Sequence, residues 1–174
     1  MKRILFPMIL IFFTTSLMAQ GEVVTKYFEQ FRNNEDFIKV SVSSKMFSLF
    51  TELEAGSDEE KEFLEAASKL KGIKMVISDS VKTAKTLFDG ALRDVEKAGF
   101  EELMTVLDAE ENFRFSIKEK GGVITELIMV AGGKKRFVLI SIFGEIDLKN
   151  ISKIARTMNI KGLNELDKLN TGEE

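Results

Sequence analysis

The side chains that most often carry metal or nucleophilic chemistry are missing from this chain: its 174 residues include no histidine and no cysteine. Imidazole ligands, thiolate nucleophiles and histidine proton shuttles are therefore excluded. What remains is carboxylates, hydroxyls and amines, and each grouping of them has a bland account beside it. Ser43, Ser44 and Lys45 lie where a strand pattern gives way to a helix pattern, so two hydroxyls, an amine and the free amides of a helix start could hold a small anion. The competing account is a serine cap, and there is no glycine-rich loop to cradle a phosphate. Asp108, Glu110 and Glu111 cluster at one turn but lack the spacing and internal glycine of a calcium loop. They fit a solvated hairpin, as Asp58, Glu59, Glu60 and Glu62 fit an acidic helix start. Ser44 and Lys45 are adjacent and diverge on a helix, so they make no nucleophile and base. With 28 acidic residues some carboxylate pair is always available to a glycosidase argument, which makes such a pair no evidence. Arg114, Lys118 and the run Lys134-Lys135-Arg136 suit solvent-facing strand and turn positions. No catalytic residue, cofactor or metal site is expected.

The composition, with 44% hydrophobic and 30% charged residues, suits a folded core and rules out bulk disorder. Twenty-five basic residues stand against 28 acidic, a net charge of −3. A phosphate backbone is bound by a basic surface that releases counterions, so nucleic acid is not an expected partner.

The first nineteen residues have the layout of a secretory leader. Lys2 and Arg3 precede an apolar run from Ile4 to Phe13, broken by Pro7, and a less apolar approach to the small residue Ala19. Cleavage between Ala19 and Gln20 is predicted, although Leu17 is larger than the residue preferred two positions earlier. The apolar run falls well short of the ~20 residues that cross a bilayer, so no stable membrane anchor is expected after cleavage. Without cysteine there is neither a lipid attachment site nor a disulfide, so the expected product is periplasmic or secreted, is not a lipoprotein, and is held by packing alone.

The elements that would position any site follow from periodicity. Val24, Tyr27, Phe28 and Phe31 recur at helical spacing; Ile38, Val40 and Val42 then alternate with Lys39 and Ser41 as in a half-buried strand. A helix with Met46, Phe47, Phe50 and Leu53 inward is expected next. Ser57 and Glu60 have capping-box spacing before a helix with Phe63, Leu64, Ala67 and Leu70 inward. Ile73, Met75 and Ile77 mark a second strand; Ser78-Asp79-Ser80 offers caps for a long helix that buries Val81, Ala84, Leu87, Phe88, Ala91, Leu92 and Val95 and ends at Gly99. Gly90 within it suggests the close approach of another backbone.

After Phe100 the period drops from about 3.6 residues to 2, and four strand-like runs follow. They cover Glu101 to Leu107, the stretch with Phe113, Phe115 and Ile117, Val123 to Ala131, and Arg136 to Phe143. Turns are expected at Lys120-Gly121-Gly122 and at Gly132-Gly133, with glycine supplying positive backbone angles. The last strands are apolar on both faces, and helices follow from Asp147 and around Leu163, Leu166 and Leu169. The predicted fold is one α+β domain over 20–174, with a mixed, mostly antiparallel sheet of about six strands, a C-terminal four-strand meander and helices mainly on one face.

The run from Phe37 to Phe50, FIKVSVSSKMFSLF, together with Gly144 to Ser152, GEIDLKNIS, resembles the family catalogued as domain of unknown function 4252. The resemblance spans nearly all of the chain after the leader. It implies small exported envelope proteins of Gram-negative bacteria, often lipoproteins, with no assigned activity or catalytic residues. Family members often sit beside sigma-factor and anti-sigma genes, which implies an envelope-sensing role. The missing cysteine departs from the lipidated members.

The function expected is a non-enzymatic exported protein that binds another envelope component or itself, by a sheet edge, by a sheet face or by the apolar surplus of the last strands. Val138, Ile140 and Ile142 are the residues of the face expected to be open, and a homodimer through it is the sharp form; cover by the final helices is its competitor. A periplasmic solute- or lipid-binding domain with a pocket lined by Phe47, Phe50, Phe88 and Phe115 is the alternative, and a hydrolase without histidine or cysteine the remote one.

Overall fold

The computed structural model describes residues 20–50 and 56–148. In chain order the elements are α1 (Glu22–Gln30), β1 (Ile38–Ser43), α2 (Ser44–Phe50), α3 (Asp58–Ser68), β2 (Leu70–Ser78), α4 (Ala84–Lys97), β3 (Glu101–Val106), β4 (Glu111–Lys120), β5 (Val123–Gly133) and β6 (Phe137–Ile146). The predicted leader with Ala19, and the helices expected beyond Leu148, fall on residues outside those described.

The six strands form one open sheet in the order β1-β2-β6-β5-β4-β3. This is an α+β domain with the expected meander from β3 to β6, and every pairing is antiparallel rather than mixed. The β4–β5 turn has Gly121 at φ +62° and Gly122 at φ +81°, as a tight hairpin with two left-handed residues requires. The β5–β6 turn does not use its glycines in that way. Gly132 and Gly133 belong to β5, and the turn falls on Lys134, Lys135 and Arg136. Glycine is needed there for closeness: a Cβ on Gly132 would lie 2.6 Å from Phe88 Cβ, and one on Gly133 would lie 2.6 Å from the Glu110 carbonyl oxygen.

Helices cover both faces of the sheet, not mainly one. On the first face Ile73, Phe115, Leu127, Met129, Val138, Ile140 and Ile142 pack with Phe47 of α2 and Ala66 and Ala67 of α3. On the second, Val76, Ile128, Val130, Phe137 and Leu139 pack with Val23, Val24 and Tyr27 of α1 and with Ala84, Ala91 and Val95 of α4. The two-sided apolar pattern of β6 thus has its physical counterpart: a central strand buried from above and below.

Local signals set the helix ends unevenly. Ser57 Oγ accepts the Glu60 N–H at 3.2 Å, as the capping-box spacing predicts, while the Glu60 carboxylate reaches back to the Gly56 N–H at 2.6 Å. The long helix starts at Ala84, with Thr83 rather than Ser78-Asp79-Ser80 at its N-cap. Ser78 is instead the buried last residue of β2. Leu70, expected on the preceding helix, opens β2 and still reaches the core. Gly90 makes room for a side chain, not a backbone: a Cβ there would sit 3.4 Å from the Tyr27 hydroxyl.

That hydroxyl donates to Asp94 Oδ2 at 2.9 Å, and Lys26 Nζ meets the same oxygen at 2.7 Å, which ties α1 to α4. Burial pushes the Tyr27 phenol well above its ordinary range, and the bond to Asp94 adds to this. For Asp94, burial disfavours the charged form, but the hydrogen bonds from Lys26 and Tyr27 outweigh it and hold the carboxyl below its usual range.

Candidate functional site

The residues singled out from the sequence do not converge on a catalytic centre. Ser43 ends β1, and Ser44 and Lys45 open α2; all three are solvent-exposed. They flank the half-exposed apolar side chains Met46 and Leu49, and α2 is a helix of only 7 residues. Met46, expected inward, therefore faces out, while Phe47 is buried.

Val138, Ile140 and Ile142 are only 1–2% exposed, which corrects the expectation of an open sheet face on them. The reason is topological. β6 lies between β2 and β5 in the middle of the sheet, and its first-face side chains share a core with α2 and α3. The phenylalanines expected to line a solute pocket are not brought together, and the side chain of Phe50 lies outside the described residues. Phe47 and Phe115 belong to the core on one face and Phe88 packs into the core on the other, so the sheet separates them.

The acidic turn is internally satisfied. Glu110 N–H donates to Asp108 Oδ1 at 2.9 Å, Asp108 N–H donates to Asn112 Oδ1 at 3.3 Å, and Glu111 pairs with Arg136 at 3.2 Å. Arg136 also pairs with Asp79 at 3.0 Å, so the last residue of the basic run is a structural cation rather than a free turn charge. A cleft of about 390 Å³ beside this turn is lined by Lys85, Phe88, Asp108, Glu110, Asn112 and Lys134 among others. Among the described residues no acidic cluster has the arrangement to hold a metal ion. A Ser-x-x-Lys spacing occurs at Ser68 and Lys71, but it straddles the end of α3 and the start of β2, and Ser68 Oγ donates to its own helix at the Glu65 carbonyl, 2.6 Å away.

Two features carry more information than the expected ones. The first is the β1 edge. Its six residues pair with β2 in unbroken register, from Ile38 opposite Ile77 to Ser43 opposite Gly72, and among the described residues the other side of the strand has no neighbour in the sheet. Ile38 is 59% exposed on that edge. The strand's one charge, Lys39, is drawn away by its hydrogen bonds to the Phe31 and Asn34 carbonyls at 3.0 and 2.8 Å. Exposed edges are normally blunted by charge, proline or a bulge, and β1 contains no proline and no register shift.

The second is Glu126, in the middle of β5 and 2% exposed. Its carboxylate accepts the Ser141 hydroxyl at 2.6 Å and the Gly21 N–H at 3.1 Å. No ion pair reaches it among the described residues. The sequence signal was there: a carboxylate inside an otherwise apolar strand run is costly unless something answers it. What answers it lies 105 residues away, beyond any local pattern.

A comparison with curated proteins and with solved structures finds no match for the chain. Residues 28–154 match the family described as Domain of unknown function (DUF4252). That span begins within α1 and runs through β6, so it takes in the β1 edge, the meander and Glu126 but stops short of Gly21. The match also takes in both runs that carry the resemblance, 37–50 and 144–152, and the chain is a member of the DUF4252 family.

Proposed function

We propose that this is a non-enzymatic exported envelope protein that binds by strand addition along β1, and that a second copy of the chain is the partner that strand fits best. The observation that carries the reading is the edge of β1, which no other described strand covers, with Ile38 exposed on it and Met46 and Leu49 exposed on the helix that follows. In antiparallel self-pairing centred on Val40, Ile38 falls opposite Val42 and Lys39 opposite Ser41, so apolar side chains meet apolar ones on one face and polar ones meet on the other. No like charges oppose each other, since Lys39 faces serine. Main-chain hydrogen bonds would supply affinity, and the alternate side chains would supply register. Export is supported by the leader layout before Gln20, and the lack of histidine and cysteine supports a binding role over a catalytic one.

Sedimentation equilibrium of the processed protein across the micromolar range tests this. A concentration-dependent monomer–dimer equilibrium that Ile38→Lys abolishes is expected. A monomer throughout, with the same amide protection in β1 at all concentrations, overturns self-association.

A further inference from the structure

Glu126 is a fully buried carboxylate with two neutral donors, Ser141 and the Gly21 amide, and no cation among the described residues. The lack of a cation is not for want of lysines nearby. Lys118 sits directly opposite Glu126 on β4, and Lys74 of β2 sits opposite Ser141. Each is engaged elsewhere: Lys118 Nζ lies 4.8 Å from the centre of the Phe100 ring, and Lys74 Nζ donates to Thr25 Oγ1 at 2.8 Å. The remaining charged group close by in sequence, Glu22 in the first turn of α1, is exposed and of the same sign as Glu126. A buried carboxylate left without a counter-charge is strongly unfavourable.

The donor that does reach it is the first buried amide after the expected cleavage point. Gly21 is buried, with φ +76°, and is the N-cap of α1; Gln20, just before it, is exposed. Standard bond lengths place the Gln20 nitrogen within about 4 Å of the Gly21 nitrogen. We propose that the α-ammonium group of Gln20, created when the leader is removed, is the counter-charge of Glu126, so that processing completes the seating of α1 on the sheet. This rests on the export reading above.

The chemistry balances. Hydrolysis by a peptidase of the export machinery adds one water across the Ala19–Gln20 amide. The Ala19 carbonyl carbon becomes a carboxylate, and the Gln20 nitrogen becomes an ammonium whose three hydrogens come from the amide and the water. Each charge then remedies the other's cost. An ammonium at the start of a helix opposes the helix dipole, and an acidic group beside it relieves that opposition. Before cleavage the same nitrogen is a neutral amide, and Glu126 has only neutral donors.

The test is the titration of the α-amino group, followed by NMR on isotopically labelled protein processed and purified from the envelope, after its intact mass has fixed its first residue. A chain starting at Gln20 whose α-amine titrates about 1 pH unit or more above the ordinary α-amino range is expected, with Glu126→Gln returning it to that range. An unshifted midpoint in the wild-type chain, or a shift that survives Glu126→Gln, overturns the proposal. A mass lower by one ammonia, from cyclisation of Gln20, also overturns it while leaving export standing. A mass that still includes the leader overturns both. If Glu126→Gln does not fold, Ser141→Ala keeps the carboxylate and is expected to keep the raised midpoint; an ordinary midpoint in that variant counts against the pairing.

Discussion

Strands β1 and β3 close the sheet at opposite ends, and they treat their unpaired backbone differently. β3 begins with two exposed carboxylates, Glu101 and Glu102, and its register slips between Glu102 and Met104. Glu102 is further fixed by Arg114 at 3.2 Å and by the Thr105 hydroxyl at 2.7 Å. A strand added there would meet two exposed carboxylates and an uneven ladder. β1 has an even ladder, an exposed isoleucine and a lysine tied back to the loop after α1. Within one sheet, then, one edge carries the features that discourage strand addition and the other lacks them. Openness at an edge is a property of a few side chains, not of edge position as such.

The contrast can be broken most sharply at β1. Ile38→Lys combined with Met46→Lys, both at exposed positions, is expected to weaken self-association at least tenfold, or by about 1.4 kcal/mol, in sedimentation, with little change in the unfolding midpoint. The reciprocal change strips the guard from β3. Glu101→Val with Glu102→Val is expected to add a second sticky edge, so that chains join at both ends and light scattering rises with concentration.

A smaller effect needs no mutation. In hydrogen exchange the β5 and β6 amides are expected to be the slowest at any concentration, because they are the two central strands of the sheet and are buried on both faces. Raising the protein concentration is expected to protect β1 and leave β3 unchanged. Equal protection of both edges would erase the distinction between them.

The smallest effect belongs to a change that leaves both edges alone. Tyr27→Phe removes the hydroxyl bond to Asp94 and is expected to cost about 1 kcal/mol in chemical denaturation, with no change in association. Its pH dependence has a definite sign. Because the folded-state Asp94 titrates below its ordinary range, its contribution is present at neutral pH and is lost on acidification through the folded-state value. Tyr27→Phe removes one of the two hydrogen bonds that hold Asp94 down, so the acid-induced loss of stability is expected to be shallower than in the parent chain.

Much of the fold was legible along the chain because its signals are local. The change of period at Phe100, the glycine pair at 121–122 and the Ser57–Glu60 spacing each depend on residues a few positions apart, and all three hold. Gly132 and Gly133 mislead a sequence reading because the same residue type serves two ends: a left-handed turn, or the near contact of Phe88 and Glu110 from elsewhere in the fold. The start of α4 is hidden in the sequence because Ser78 looks like a cap, whereas its place at the end of β2 is fixed by pairing with Phe137. The candidate site was less legible still. An alternating run such as 38–43 reads the same in an inner strand as at an edge, so nothing in it marks Ile38 as exposed.

By itself the sequence determined the class of molecule. The absence of imidazole and thiol chemistry, the supply of apolar residues and the period of each segment are set by residue identity and short spacing, and they lead to one α+β domain with a terminal meander. The tertiary structure alone decided which strand lies at an edge, which face is covered and which donors answer Glu126. Those depend on strand order and on contacts between residues as far apart as Gly21 and Glu126. Burial and counter-charge are properties of a neighbourhood in space, and a strand's neighbours are chosen only when the whole sheet assembles.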